Sequence, residues 1–177
     1  MPDTSRLFFA LWPSDAVREQ LASLTHHFHR QFGGRPMAPD SLHITLAFLG
    51  ETPNARLFDL QTLGQSITTP SFALTLNRAG CWQKGIFWLG PTEAPPALLS
   101  LASALHQGLK VADIFFDDSK PFKPHLTLMR KAEAPRNWQD AITPIEFSVS
   151  DFALVRSASA SSGVQYEDVA RFPLVTA

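Results

Sequence analysis

The sequence predicts an α+β protein: a mixed or antiparallel sheet with helices outside it. Strand-like runs are interspersed with three amphipathic helical stretches, and the last third of the chain shows the apolar-polar alternation of antiparallel strands. One tetrapeptide pattern, His-x-Thr-Leu, also occurs twice on strand-like runs, at His43 and His125. With 177 residues, 45% hydrophobic and 18% charged, the chain can bury a sizeable core, which excludes disorder and a coiled coil. No low-complexity linker divides it, so residues 1–177 are expected to form a single domain.

Residues 6–12 are bulky and apolar and stop at Pro13-Ser14, the pattern of a buried strand running into a helix with Ser14 as N-cap. Val17, Leu21, Leu24 and Phe28 then form a core-facing stripe that ends before Gly33-Gly34. Residues 42–50 are short, β-prone and closed by Gly50, hence a strand. Leu57, Leu60, Leu63 and Ile67 predict a second helix, and residues 72–76 and 86–89 two strands. Pro95-Pro96 opens a third helix with Leu98, Leu101, Leu105 and Leu109 buried. Strands follow at 125–130, 145–156 and 164–172.

Fifteen Lys+Arg against sixteen Asp+Glu leave a formal charge of −1, so no global positive field holds a long duplex, and any nucleic acid is bound locally. The single cysteine, Cys81, permits neither an internal disulfide nor a CxxC site, which fits a reducing cytoplasm. The apolar run Leu7–Trp12 is about a third of a bilayer span and shorter than a leader's apolar segment, so no membrane partner is expected.

The chemistry concentrates in the repeated pattern. In a strand, residues i and i+2 share a face, so His43 projects with Thr45 and His125 with Thr127, while Ile44 and Leu126 point to the core. Two such strands side by side surround one cavity with two imidazoles and two hydroxyls, a complete acid–base site that needs no metal or cofactor. One imidazole activates water, the other protonates the departing oxygen, and the threonines donate to non-bridging phosphate oxygens. The alternative is a structural repeat whose histidines merely satisfy backbone groups.

Lys120, Lys123, Arg130 and Lys131 flank the second copy, which suggests an anionic ligand; a solvated charge cluster is the alternative. Arg130 lies at odd offset from His125 and reaches a phosphate from the strand end. Phe48, Phe122 and Tyr166 are candidates to stack on a base. Phe48 is five residues after His43, an odd offset, so only a bend or bulge before Gly50 turns it toward the groove. His26, His27 and His29 lack metal-ligand spacing, His106 is expected at the surface, and no GxxxxGK[ST] or GxGxxG is present.

With these residues in view, the chain resembles the 2H phosphoesterase superfamily, and within it the bacterial RNA 2′,3′-cyclic phosphodiesterases, also called 2′-5′ RNA ligases. Arg6–Leu11 resembles the family's first strand, Leu42–Gly50 its first signature and Pro121–Arg130 its second. The resemblance implies a bilobal fold, two pseudo-symmetric lobes with the His-x-Thr strands facing a central groove. It also implies metal-independent opening of RNA 2′,3′-cyclic phosphate ends to 2′-phosphomonoesters, with reversible 2′-5′ ligation, by a cytoplasmic monomer. By the same resemblance His43 is the proton donor, His125 the proton acceptor, and Thr45 and Thr127 hold the phosphate. Lys123, Phe122, Phe48, Tyr166 and Arg130 are the substrate-binding candidates. The residues alone leave open which imidazole is acid and which base. A small-nucleotide cyclic phosphodiesterase and a non-catalytic RNA-end binding protein are the alternative functions.

Overall fold

The structure, a computed structural model, describes residues 3–176; Met1, Pro2 and Ala177, inside the expected 1–177 span, lie outside the described residues. In chain order the elements are β1 (Thr4–Leu11), α1 (Asp15–Phe32), β2 (Arg35–Pro36), β3 (Ile44–Pro53), α2 (Leu57–Ser66), β4 (Phe72–Trp82) and β5 (Ile86–Gly90). They continue with α3 (Pro96–Val111), β6 (Leu126–Arg130), β7 (Gln139–Val149), β8 (Asp151–Ala160) and β9 (Gly163–Pro173). Local chemistry sets the helix ends. Ser14 Oγ accepts from the Val17 amide at 3.3 Å, and Gly33 closes α1 at φ 61°, a left-handed conformation that suits a residue without Cβ. Pro96 begins α3, where its missing N–H is no loss.

The strands form one sheet in the order β7-β4-β5-β6-β3-β1-β8-β9, with β2 added on β6, and every pairing between these strands is antiparallel. The sheet reads as two four-stranded halves, β6-β5-β4-β7 and β3-β1-β8-β9. They meet at one residue pair, Ile44 opposite Leu126. These are the middle residues of the two His-x-Thr triplets, so the seam lies on a local pseudo-twofold axis.

The three helices cover one face of the sheet. Leu21 and Phe28 of α1, Leu60 of α2, and Leu101 and Leu105 of α3 join Leu7, Phe9 and Leu11 of β1 in one buried cluster. Each such side chain contributes about 1.5–3 kcal/mol on burial. The opposite face of β1 carries Phe8 and Ala10, packed with Ala153 and Val155 of β8 and flanked by Trp12, Phe48 and Tyr166. Burial on both faces explains why residues 7–11 read as an unbroken apolar run.

Two expectations are corrected. Residues 145–156 are not one strand: β7 ends at Val149 and β8 begins at Asp151, and the two belong to different halves. The alternation of buried Ile145, Phe147 and Val149 gives way after exposed Ser150 to a run buried on both faces, Phe152, Ala153, Leu154 and Val155. His43 and His125, expected within strands, each lie one residue ahead of theirs.

Candidate active site

The seam sets the geometry of both motifs. Antiparallel register about Ile44 and Leu126 places His43 opposite Thr127 and Thr45 opposite His125. Ile44 and Leu126 are fully buried, so the four polar side chains project from the other face, where all line one cavity of about 700 Å³.

The imidazoles are oriented in the same way. His43 Nδ1 donates to the Ser41 carbonyl at 2.7 Å and His125 Nδ1 to the Lys123 carbonyl at 2.8 Å, each two residues back. Both rings therefore keep Nε2 for chemistry. His43 Nε2 lies 3.1 Å from Thr45 Oγ1, which donates to it when the ring is neutral. Burial pushes both imidazoles below the ordinary value; the Ser41 carbonyl opposes this at His43, where the charges of His125 and Arg130 add to the depression. At His125 the Lys123 carbonyl opposes it and the Lys123 ammonium adds to it.

Their settings differ. His43 stacks on Phe8 at 4.9 Å and meets the edges of Trp12 and Tyr166 at 5.4 Å each. His125 meets Trp82, 4.6 Å away and near perpendicular. Trp82 in turn packs on Trp88 at 5.1 Å.

Two matching irregularities aim the flanking side chains. Between β1 and β3 the register runs Ala10 to Thr45 and then Phe9 to Ala47, leaving Leu46 as an extra residue. Between β5 and β6 it runs Trp88 to Thr127 and then Phe87 to Met129, leaving Leu128 extra. Leu46 and Leu128 are the fourth residues of the two motifs. Each bulge resets the side-chain alternation, so the residue five places after each histidine returns to the cavity: Phe48 in one half, Arg130 in the other.

Tyr166 also lines the cavity; burial raises its phenol, while Arg130 and Arg6 act in the opposite sense. Lys123 and Phe122 do not line it. Lys123 Nζ sits over the rings of Trp82 and Trp88 at 5.2 and 5.0 Å, and Phe122 packs edge-on against His106. His106 is half-buried on Phe116 rather than at the surface. Cys81 is buried outside this cavity, and burial raises its thiol. Sequence reasoning missed Arg6, Phe8, Trp12 and Trp82. The period-2 set Arg6, Phe8, Ala10 in the first strand was the available signal for the first two. Among the described residues no three metal-ligating side chains form a group, and no helix is long and apolar enough to cross a membrane.

With two strand-leading His-x-Thr pairs related across a seam and opening on one groove, the protein has the fold of the 2H phosphoesterases. The chain belongs to the 2′-5′ RNA ligase superfamily, whose family model matches residues 13–160. It is 37% identical over 165 residues to the RNA 2′,3′-cyclic phosphodiesterase of Escherichia coli strain K12, covering 89% of this chain and 93% of that protein. It is 34% identical over 182 residues to the protein of the same name from Thermus thermophilus, covering 96% of this chain and 90% of that one. The solved structure of E. coli LigT in apo form matches with TM-score 0.86 at 34% identity, over 98% of this chain and 99% of that one. LigT has also been solved in complex with 3′-AMP, again at TM-score 0.86 and 34% identity, over 97% of this chain and 98% of that one.

Proposed function

We propose that this protein hydrolyses RNA 2′,3′-cyclic phosphate ends to 2′-phosphomonoesters as a monomer in the cytoplasm. The observation that carries the proposal is the pair of imidazoles, each with Nδ1 tied to a carbonyl and Nε2 turned to one cavity, where Thr45 Oγ1 is its partner in His43. The names of the relatives, RNA 2′,3′-cyclic phosphodiesterase, and the 3′-AMP complex of LigT support it.

In this mechanism His125 Nε2 takes a proton from water as the water oxygen bonds to phosphorus. His43 Nε2–H gives a proton to O3′ as the P–O3′ bond breaks, leaving the phosphate on O2′. Thr45, Thr127 and Arg130 hold the non-bridging oxygens, where negative charge builds up. Burial favours a neutral His43 in the empty cavity, and the anionic substrate reverses this by stabilising the imidazolium that the acid role requires. After turnover His43 is neutral and His125 protonated, so the protons return through solvent before the next cycle. The same steps with a ribose 5′-hydroxyl in place of water form P–O5′ as P–O3′ breaks, which is 2′-5′ ligation, and their reverse cleaves that bond back to the cyclic phosphate. Phe48 and Tyr166 wall the space for the terminal nucleoside.

The test is incubation of an oligoribonucleotide ending in a 2′,3′-cyclic phosphate, in EDTA, with wild type, His43→Ala and His125→Ala, followed by identification of the phosphate position. A 2′-phosphate from wild type alone is expected. No product from wild type refutes the activity, and turnover surviving in both variants places the chemistry elsewhere.

A further inference from the structure

The cavity is not symmetric although the motifs are. Beyond His125, Thr127 and Arg130, the half built from β4 to β7 lends it nothing, whereas β1, β3, β8 and β9 extend it with Thr4, Arg6, Phe48, Glu51, Ser157 and Tyr166. Four of these form one row across the sheet: Glu51 pairs with Arg6, Arg6 with Ser157, and Ser157 with Tyr166. On β1 this row lies two residues beyond Phe8, the ring on which His43 stacks.

Arg6 has an unusual set of partners in this row. Glu51 faces it in register, yet the Glu51 carboxylate accepts from Thr4 Oγ1 at 3.1 Å, and among the described residues Arg6 forms no ion pair. The Arg6 guanidinium is instead held over the Phe48 ring at 4.9 Å. Contact with a ring face fixes the position of a guanidinium without using its N–H donors, so they stay available to a ligand. Arg130 likewise has no carboxylate partner among the described residues and belongs to the reacting phosphate. Both arginines line the same cavity as Tyr166. The groove thus presents a cation, an aromatic step and a second cation, in the order phosphate, nucleoside, phosphate.

Resting on the proposed hydrolysis, we propose that Arg6, with Ser157 beside it, is a second anion subsite that binds the 5′-phosphate of the terminal nucleotide. The substrate class is then a nucleotide 2′,3′-cyclic phosphate carrying a 5′-phosphate or 5′-phosphodiester, as an RNA end does, in preference to a nucleoside 2′,3′-cyclic phosphate. Arg6 is a specificity residue here, and no bond to the reacting phosphorus passes through it.

The test compares kcat/KM for adenosine 2′,3′-cyclic phosphate, its 5′-phosphorylated form and a dinucleotide ending in the cyclic phosphate. It is run with wild type, Arg6→Gln and Arg6→Lys. Wild type is expected to favour both 5′-phosphorylated substrates by about tenfold or more, chiefly through KM, the scale of one charge-assisted contact. Arg6→Gln is expected to bring the ratio close to one, and Arg6→Lys to keep part of it. Calorimetric binding of adenosine 2′-monophosphate against adenosine 2′,5′-bisphosphate reads the same subsite without turnover, with the same ratios expected. Equal kcat/KM for all three substrates in wild type, or a preference that survives Arg6→Gln, overturns the subsite and leaves the hydrolysis standing. No turnover of any substrate by wild type overturns the hydrolysis itself, and the bisphosphate ratio then decides the subsite alone.

Discussion

His106 Nε2 lies 2.8 Å from the carbonyl oxygen of Leu46, so a histidine on α3 satisfies the residue that bulges out of β3. The matching bulge is treated alike: the Leu128 carbonyl accepts from the Met37 amide at 2.8 Å. Removing the first of these bonds leaves a buried carbonyl without its partner. His106→Leu is expected to lower stability by about 1–3 kcal/mol in urea unfolding and to raise KM, because the Leu46 bulge aims Phe48. His106→Gln, whose amide donates, is expected to recover part of both.

In the proposed mechanism the imidazoles act as a unit. His43→Gln and His125→Gln are each expected to reduce kcat/KM by about 10²–10⁴, and the double variant by far less than the product of the two losses. Steady-state kinetics on a cyclic phosphate substrate checks this, and multiplicative losses count against a shared step.

Both imidazoles are held below the ordinary value of 6.5. The proposed mechanism requires a neutral base and a protonated acid, so kcat/KM is expected to follow a bell whose limbs report the free enzyme and lie on the acid side of that value. Stability follows the opposite demand. Above pH 6.5 neither folded nor unfolded imidazole is charged and stability is level. As pH falls below it the unfolded chain binds protons first, so stability drops until the native imidazoles protonate as well. Urea titrations from pH 8 to pH 5 are expected to show this slope, reduced in His43→Gln and in His125→Gln.

Position in space, not in sequence, separates the two phenylalanines near the motifs. Phe48→Ala is expected to raise KM about tenfold, the scale of a lost stacking surface. Phe122→Ala is expected to lower stability and leave KM within about twofold, since Phe122 packs on His106 outside the cavity. Comparison of KM and urea midpoints for the two variants checks this.

The seam tolerates no gap. Leu126→Ala removes one side of the pair that joins the halves and is expected to cost about 2–5 kcal/mol in urea unfolding. Catalytic loss is expected to exceed that of an equally destabilised variant at Leu105, which α3 buries in the core away from the cavity.

The four chemical residues were legible because a strand's period of two makes His-x-Thr a statement about one face, and its recurrence makes that face a pair. Phe48 was legible in part: a bulge had to be invoked, and Leu46 carries no Gly or Pro to announce one. Arg130 was placed at a strand end, whereas the Leu128 bulge is what turns it. Lys123 and Phe122 are adjacent to the motif in sequence, yet Lys123 leaves along the tryptophan rings. The period of two puts Arg6 on the face of Phe8, but its place in the groove depended on knowing that β1 lies beside β3, a long-range pairing. The break at Ser150 was written in the end of the alternation, where the unbroken apolar run of residues 152–155 begins, and a tally of apolar residues passes over it.

The half of the sheet that carries most of the groove is assembled from distant parts of the chain, with Phe9 paired to Leu154 and Arg6 to Ser157. A ribosome therefore delivers β1, α1 and β3 long before β8 exists, and the face of β1 that carries Phe8 and Ala10 must wait for it. Chain released before β8 has emerged holds both histidines but lacks the wall that shapes their cavity. The groove is complete only once β8 and β9 are in place, and until then the Phe8 and Ala10 face of β1 stands uncovered.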